Sequence, residues 1–233
     1  MKHKAILYLF ILDAILNIIA VITELEMLNY MTKPLLMILL GWYFYESTPR
    51  TRFTRLVLFG ILFSIGGDTA LMFEGNPNFF IVGLVSFLIV HVCYIISMYR
   101  FPEFSSGLLF KKWLIGLPLL VYGFSLVYML WAGLGEMKIP VIVYSATIML
   151  MGLSAVNMFG RTDQAAVGIL LIGALLFIVS DSVIAINKFG VEGLVIPFPR
   201  LAIMVTYITG QFLIVKAVIL IAKKRNIINI SIY

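Results

Sequence analysis

The chain has 233 residues, of which 62% are hydrophobic and only 12% charged, and its mean hydropathy is +1.09. A soluble domain is about half apolar and about a quarter charged, so this composition excludes an ordinary soluble fold and points to a polytopic membrane protein. The net charge of +6 does not mark a nucleic-acid binder, because the 17 basic residues are scattered between apolar runs instead of forming a stripe.

A helix needs about 20 mostly apolar residues to cross a hydrocarbon core of about 30 Å. On that measure the sequence predicts an all-α bundle of eight transmembrane helices over 5–23, 31–45, 54–73, 79–99, 113–131, 139–159, 165–186 and 201–222. The basic start (Lys2, Lys4) and apolar run that follows resemble a signal peptide. However, the run contains Asp13 and Asn17 and ends without a small-residue cleavage site, so it reads as a retained first span. The second span is the shortest. Pro49, Gly75-Asn76-Pro77, Pro102, Gly160, Pro197 and Pro199 mark the joints. The whole of 1–233 reads as a single integral membrane domain. Cys93, the one cysteine, reads as a small buried hydrophobe.

Alternate loops carry unequal charge. Lys2, Lys4, Arg50, Arg52, Arg55, Arg100, Lys111, Lys112, Arg161, Lys223, Lys224 and Arg225 fall on one side, whereas Lys33, Lys138, Lys188 and Arg200 fall on the other. The bias predicts both termini in the cytoplasm, and an odd number of spans would break the alternation. Trp113 and Trp131 bracket the fifth span as interfacial aromatics do. The expected location is a bacterial inner membrane.

Ionisable residues inside spans are costly and mark function or pairing. Asp13, Asp68, His91 and Asp181 stand out, with Tyr94, Tyr207 and Gln211 adding polar tips. Asp68 and Asp181 each sit between a small residue and a hydroxyl residue. Gly60, Ser64 and Asp68 share one helix face, as do Gly173, Phe177 and Asp181. Small residues admit a neighbouring helix, so both acids are expected to face protein. They lie roughly 21 and 24 Å along their outward-running spans, at matching heights in the outer third. Arg200, Tyr207 and Gln211 share a face of the last span, His91 lies about halfway down the fourth, and Lys33 opens the second. The expected site is a polar pocket open towards the outer leaflet. Asp13 with Asn17 reads as a polar seam. A tyrosine follows each acid at the same interval (Tyr94, Tyr207), which suggests a four-plus-four parallel repeat.

Phe63-Ser64-Ile65-Gly66-Gly67-Asp68-Thr69-Ala70-Leu71-Met72, then Gly83-Leu84-Val85-Ser86-Phe87 with His91 and Tyr94, resembles the YhhN family. Gly173-Ala174-Leu175-Leu176-Phe177-Ile178-Val179-Ser180-Asp181-Ser182 does so too, and Thr32-Lys33-Pro34-Leu35 and Tyr207 to Gln211 fit its pattern. Animal members of that family are lysoplasmalogenases, which hydrolyse the vinyl ether bond of lysoplasmalogens to a fatty aldehyde and a glycerophospho-base. The resemblance implies that activity on a membrane lipid.

The chemistry suits the residues. Protonating the β-carbon of a vinyl ether leaves an oxocarbenium ion, and water then adds to give a hemiacetal that collapses to the aldehyde. A carboxylic acid and a carboxylate can divide that labour, as in glycosidases. Asp68 and Asp181 are the expected pair, with Asp181 taken as the acid and Asp68 as the stabiliser. His91, Tyr94, Tyr207, Gln211 and Ser180 would position water and substrate, and Lys33 or Arg200 would hold the phosphate. This route calls for no cofactor or metal. A zinc site built from His91, Asp68 and Asp181 is a rival reading. Two others are a proton-coupled small-molecule or lipid transporter and a non-catalytic lipid-binding protein. The sequence does not fix the oligomeric state.

Overall fold

The structure, a computed structural model, describes residues 2–73, 76–191 and 193–230, with side chains for these apart from Lys2 and 226–230. Gly75, within one expected joint, lies outside the described residues. The helices are α1 (Lys2–Ile22), α2 (Glu26–Ser47), α3 (Arg52–Ala70), α4 (Pro77–Tyr99), a short α5 (Leu108–Lys111), α6 (Leu117–Leu130), α7 (Lys138–Val156), α8 (Gln164–Phe189) and α9 (Pro199–Ile230). The protein is an all-α polytopic membrane protein. Among the described residues seven helical stretches are long and apolar enough to cross a membrane: His3–Ile22, Arg52–Ala70, Pro77–Tyr99, Trp113–Leu130, Gly135–Val156, Gln164–Phe189 and Pro199–Arg225. The expected second span falls in α2, which is 22 residues long but is not among the seven. Glu26, Lys33 and Glu46 interrupt its apolar character.

The chain forms two compact units, Met1–Phe101 with Val215–Tyr233, and Pro102–Ile214. In the first unit, α1 and α2 make a hairpin. Its turn is closed by the Leu25 amide donating to the Ala20 carbonyl at 3.0 Å, with Glu24 at a φ of 55°. Three residues of connection make the two helices antiparallel neighbours. A reciprocal capping box between Thr51 and Thr54 starts α3. Asn76 caps α4, and Pro77 occupies its first turn, where a missing N–H costs nothing.

Glycines set the α3–α4 packing. A Cβ on Gly60 would lie 2.7 Å from the Tyr94 ring, one on Gly67 2.7 Å from the Phe87 ring, and one on Gly83 2.6 Å from Leu71. These three meetings fix an antiparallel register. Ser97 adds a hydrogen bond to the Phe53 carbonyl at 2.8 Å.

In the second unit, α6, α7 and α8 pack on one another. Asp163 caps α8 by accepting from the Ala166 amide at 2.9 Å, and Gly190 ends the helix at a φ of 71°. Arg161 lies in the connection before α8 and is buried. Its Nε donates to the Pro102 carbonyl at 3.2 Å, and its guanidinium lies 5.2 Å from the Phe104 ring centroid. Burial lowers its pKa from the usual guanidinium value, and the charge of Glu103 partly offsets this. Towards its start, α9 packs so closely on α8 that a Cβ on Gly173 would meet the Ile214 nitrogen at 2.8 Å and the Gly210 oxygen at 2.9 Å.

Candidate functional site

In the first unit Asp68 is 2% exposed, and Gly60 and Ser64 on the same face are buried with it, as the four-residue spacing predicts. The Ser64 hydroxyl turns back onto the Gly60 carbonyl at 3.3 Å. α3 ends at Ala70, three residues earlier than expected, so Asp68 sits in the last turn of its helix. The carbonyls that end a helix disfavour a further negative charge there. His91 and Tyr94 are fully or nearly fully buried on α4. The glycine register places His91 level with Ser64, about one turn from Asp68. Asp68, His91 and Tyr94 are all engaged by neighbours. Lys33 is half-buried on α2, one residue before Pro34, which lies inside that helix.

In the second unit Asp181 lies on α8, more than two turns before its end. The two acids therefore occupy different positions along their helices, because α3 stops early. Asp181 Oδ2 accepts a hydrogen bond from the Tyr144 hydroxyl of α7 at 2.5 Å, the short range of a charge-assisted O–H···O⁻ bond. The next residue is tied in as well. Ser182 donates to the Ile178 carbonyl at 2.7 Å and pairs with the Tyr122 hydroxyl of α6 at 2.8 Å. Two tyrosines on two helices thus converge on consecutive residues of α8. α7 and α8 are joined by a short connection, so the start of one is level with the end of the other. Tyr144 lies roughly 9 Å from the start of α7 and Asp181 roughly 12 Å from the end of α8, which is why they meet.

Ser180 commits its hydroxyl hydrogen to the Ile203 carbonyl at 3.2 Å, tying α8 to α9. Tyr207 is buried with its ring 5.5 Å from that of Phe177, and Gln211, one turn further on, is fully buried. Arg200 is exposed in the first turn of α9. Among the described residues no three His, Cys, Asp or Glu side chains come together as metal ligands.

Sequence reasoning missed Tyr144 and Tyr122. The signal was present, since each puts a polar tip inside an apolar run, the same rule that selected Tyr94 and Tyr207. What was lacking was the partner, 37 and 60 positions away in the chain.

The two units share a construction. Each has an acid on a helix, a glycine eight residues before it that lets the following helix in, and a tyrosine 26 residues after it packed on the acid-bearing helix. Known proteins carry the same segments. The chain is 34% identical over 169 residues to bovine (Bos taurus) lysoplasmalogenase TMEM86A and 32% identical over 168 residues to the human (Homo sapiens) protein of that name, in both cases covering 69% of this chain and 63% of the relative. Human lysoplasmalogenase TMEM86B is 27% identical over 191 residues, covering 82% of this chain and 75% of that protein. The chain thus matches less than two thirds of the length of the two TMEM86A proteins. No solved structure matches it. The model of the YhhN family matches residues 28–218, a stretch that holds both acids and both of their tyrosines, and the chain belongs to that family.

Proposed function

We propose that this protein is an intramembrane hydrolase that cleaves the vinyl ether bond of lysoplasmalogen-type lysophospholipids, releasing a fatty aldehyde and a glycerophospho-base. Family membership and the names of the relatives support the reaction class. The observation that carries the chemistry is the Tyr144–Asp181 hydrogen bond. A carboxyl that accepts a phenolic O–H is oriented and favoured as the anion. This supports Asp181 as the carboxylate that stabilises the oxocarbenium ion and Asp68 as the proton donor, the reverse of the assignment taken from sequence.

The steps balance without an external reagent. The acid gives its proton to the β-carbon of the alkenyl chain, and the oxygen lone pair forms the C=O⁺ bond. The carboxylate stabilises that charge and takes a proton from the water that adds. The resulting hemiacetal collapses, its C–O bond to glycerol breaking as the aldehyde forms, and the proton passes to the departing glycerol oxygen. Electrostatic stabilisation of this kind is commonly the largest catalytic contribution. His91, Tyr94, Tyr207 and Gln211 position substrate and water in this reading. Lys33 and Arg200 are its phosphate contacts. Ser180 is left with its oxygen lone pairs alone, its proton being committed to α9. We further assign α2 to the membrane as an eighth helix, with both termini cytoplasmic in a bacterial inner membrane, which preserves the charge alternation of the loops.

The test is product analysis by mass spectrometry on purified protein in detergent, given a vinyl-ether lysophospholipid beside its acyl and alkyl-ether analogues. Aldehyde is expected from the vinyl ether alone, and from neither Asp68→Asn nor Asp181→Asn. Absence of product from all three lipids with the wild-type protein overturns the reading.

A further inference from the structure

α1 lies before the region that the family model matches, and its buried face is simple. Ile6, Phe10, Asp13, Asn17 and Ala20 recur at helical spacing, and Asp13 and Asn17 are the polar members, 5% and 0% exposed. This face packs on α2.

A full account of donors and acceptors can be made. Asn17 spends both amide hydrogens on α2, one on Asn29 Oδ1 at 3.1 Å and the other on Thr32 Oγ1 at 2.9 Å. Thr32 spends its own hydrogen on the Leu28 carbonyl at 2.8 Å. With these donors used, two buried acceptors are left unpartnered, Asp13 Oδ2 and Asn17 Oδ1. They belong to residues four apart on one face of α1, so they lie one above the other. Asp13 forms no hydrogen bond or ion pair with any described side chain. That includes the titratable groups on its own helix (His3, Lys4, Tyr8), those of α2 (Glu26, Tyr30, Lys33, Tyr43, Tyr45, Glu46) and Lys216 of α9.

A lone ionised carboxylate in that setting is very costly, and in practice such a group neutralises instead. Two acceptors without a donor need one positive particle between them. One carboxylate and one amide oxygen are too few ligands for a hard metal cation, which takes six or more oxygens. A single proton on Asp13 Oδ2, donated to Asn17 Oδ1, satisfies both orphaned atoms at once. We propose that the α1–α2 seam is a proton-binding site, in which Asp13 holds a proton shared with Asn17 at neutral pH and Asn17 and Asn29 link it to the half-buried end of the hairpin. Loss of that proton leaves an uncompensated charge in the helix pair and loosens α1 from α2. This inference is independent of the proposed hydrolase activity.

The test is infrared spectroscopy of the purified full chain at neutral pH, followed through the carbonyl stretch of protonated carboxylic acids, with thermal melts across pH. The expected band survives in the Asp68→Asn, Asp181→Asn double variant, disappears in Asp13→Asn, and shifts in Asn17→Leu, which removes the acceptor but keeps the acid. The melting temperature of the wild type falls as pH is raised through the alkaline range, whereas that of Asp13→Asn stays level. If Asp13→Asn does not fold, the band in the double variant and its shift on adding Asn17→Leu decide the matter. A wild-type spectrum without a protonated-acid band assignable to Asp13 overturns the proposal, whether Asp13 is then an ion held by a reoriented Asn17 amide or the melting temperature follows sodium concentration instead of pH.

Discussion

The Tyr144 hydroxyl is bonded to Asp181 Oδ2 at 2.5 Å, linking the middle of α7 to α8. The bond fixes one oxygen of Asp181 and leaves the other to face a substrate. A hydrogen bond to a charged group is worth about 1.5–3 kcal/mol. If it acts through Asp181 on the developing cation, Tyr144→Phe should lower kcat roughly ten- to a hundredfold at nearly constant KM, since each 1.36 kcal/mol is about tenfold. A steady-state comparison of aldehyde release checks this. A fall in KM-weighted binding with unchanged kcat would assign Tyr144 to the substrate instead.

Ser182 is the control for that experiment. It follows Asp181 directly and pairs with Tyr122 at 2.8 Å, yet its hydroxyl proton goes to its own helix. Ser182→Ala should lose roughly 1 kcal/mol of stability and keep kcat within about twofold of the wild type. Melting curves and initial rates on the same preparation measure both.

Gly60→Ala and Gly173→Ala separate two kinds of close approach. At Gly60 the new methyl meets the Tyr94 ring, a side chain that can turn aside. At Gly173 it meets backbone atoms of α9, the Ile214 nitrogen and the Gly210 oxygen, which cannot move without shifting the helix. Overpacking costs about 1–3 kcal/mol where the surroundings yield and more where they do not. Gly173→Ala should therefore lower the melting temperature by the larger amount, and equal effects would contradict the distinction.

Arg161 ties the connection before α8 to Pro102 and Phe104. Arg161→Ala removes the donor and leaves the Pro102 carbonyl without that bond, at a cost of about 1–3 kcal/mol. Burial disfavours the charged form of Arg161, so Arg161→Gln, neutral and still able to donate, should recover part of the loss. Thermal melts of the two variants give the answer.

The sequence by itself determined the class of fold and the faces of its helices. Apolar runs of membrane length located the helices, since in lipid a backbone must satisfy its own hydrogen bonds. The spacing of Gly60, Ser64 and Asp68 placed one buried face for the same reason that any helix repeats every three to four residues. The second span was the weak point, and α2 remains the helix that composition alone does not mark as crossing. Its boundaries widened to Glu26–Ser47 because helix formation there follows packing on α1 and α3 more than hydropathy. Only the tertiary structure decided what the acids touch. Tyr144 carries no periodic signature that names Asp181, because the two meet through the antiparallel pairing of α7 and α8. Asp13 and Asn17 likewise read as a self-satisfied seam until Asn29 and Thr32 of the neighbouring helix were seen to use up the donors. Periodicity fixes which side of a helix is buried, but hydrogen-bond accounts close only between helices, and that information lies in their packing.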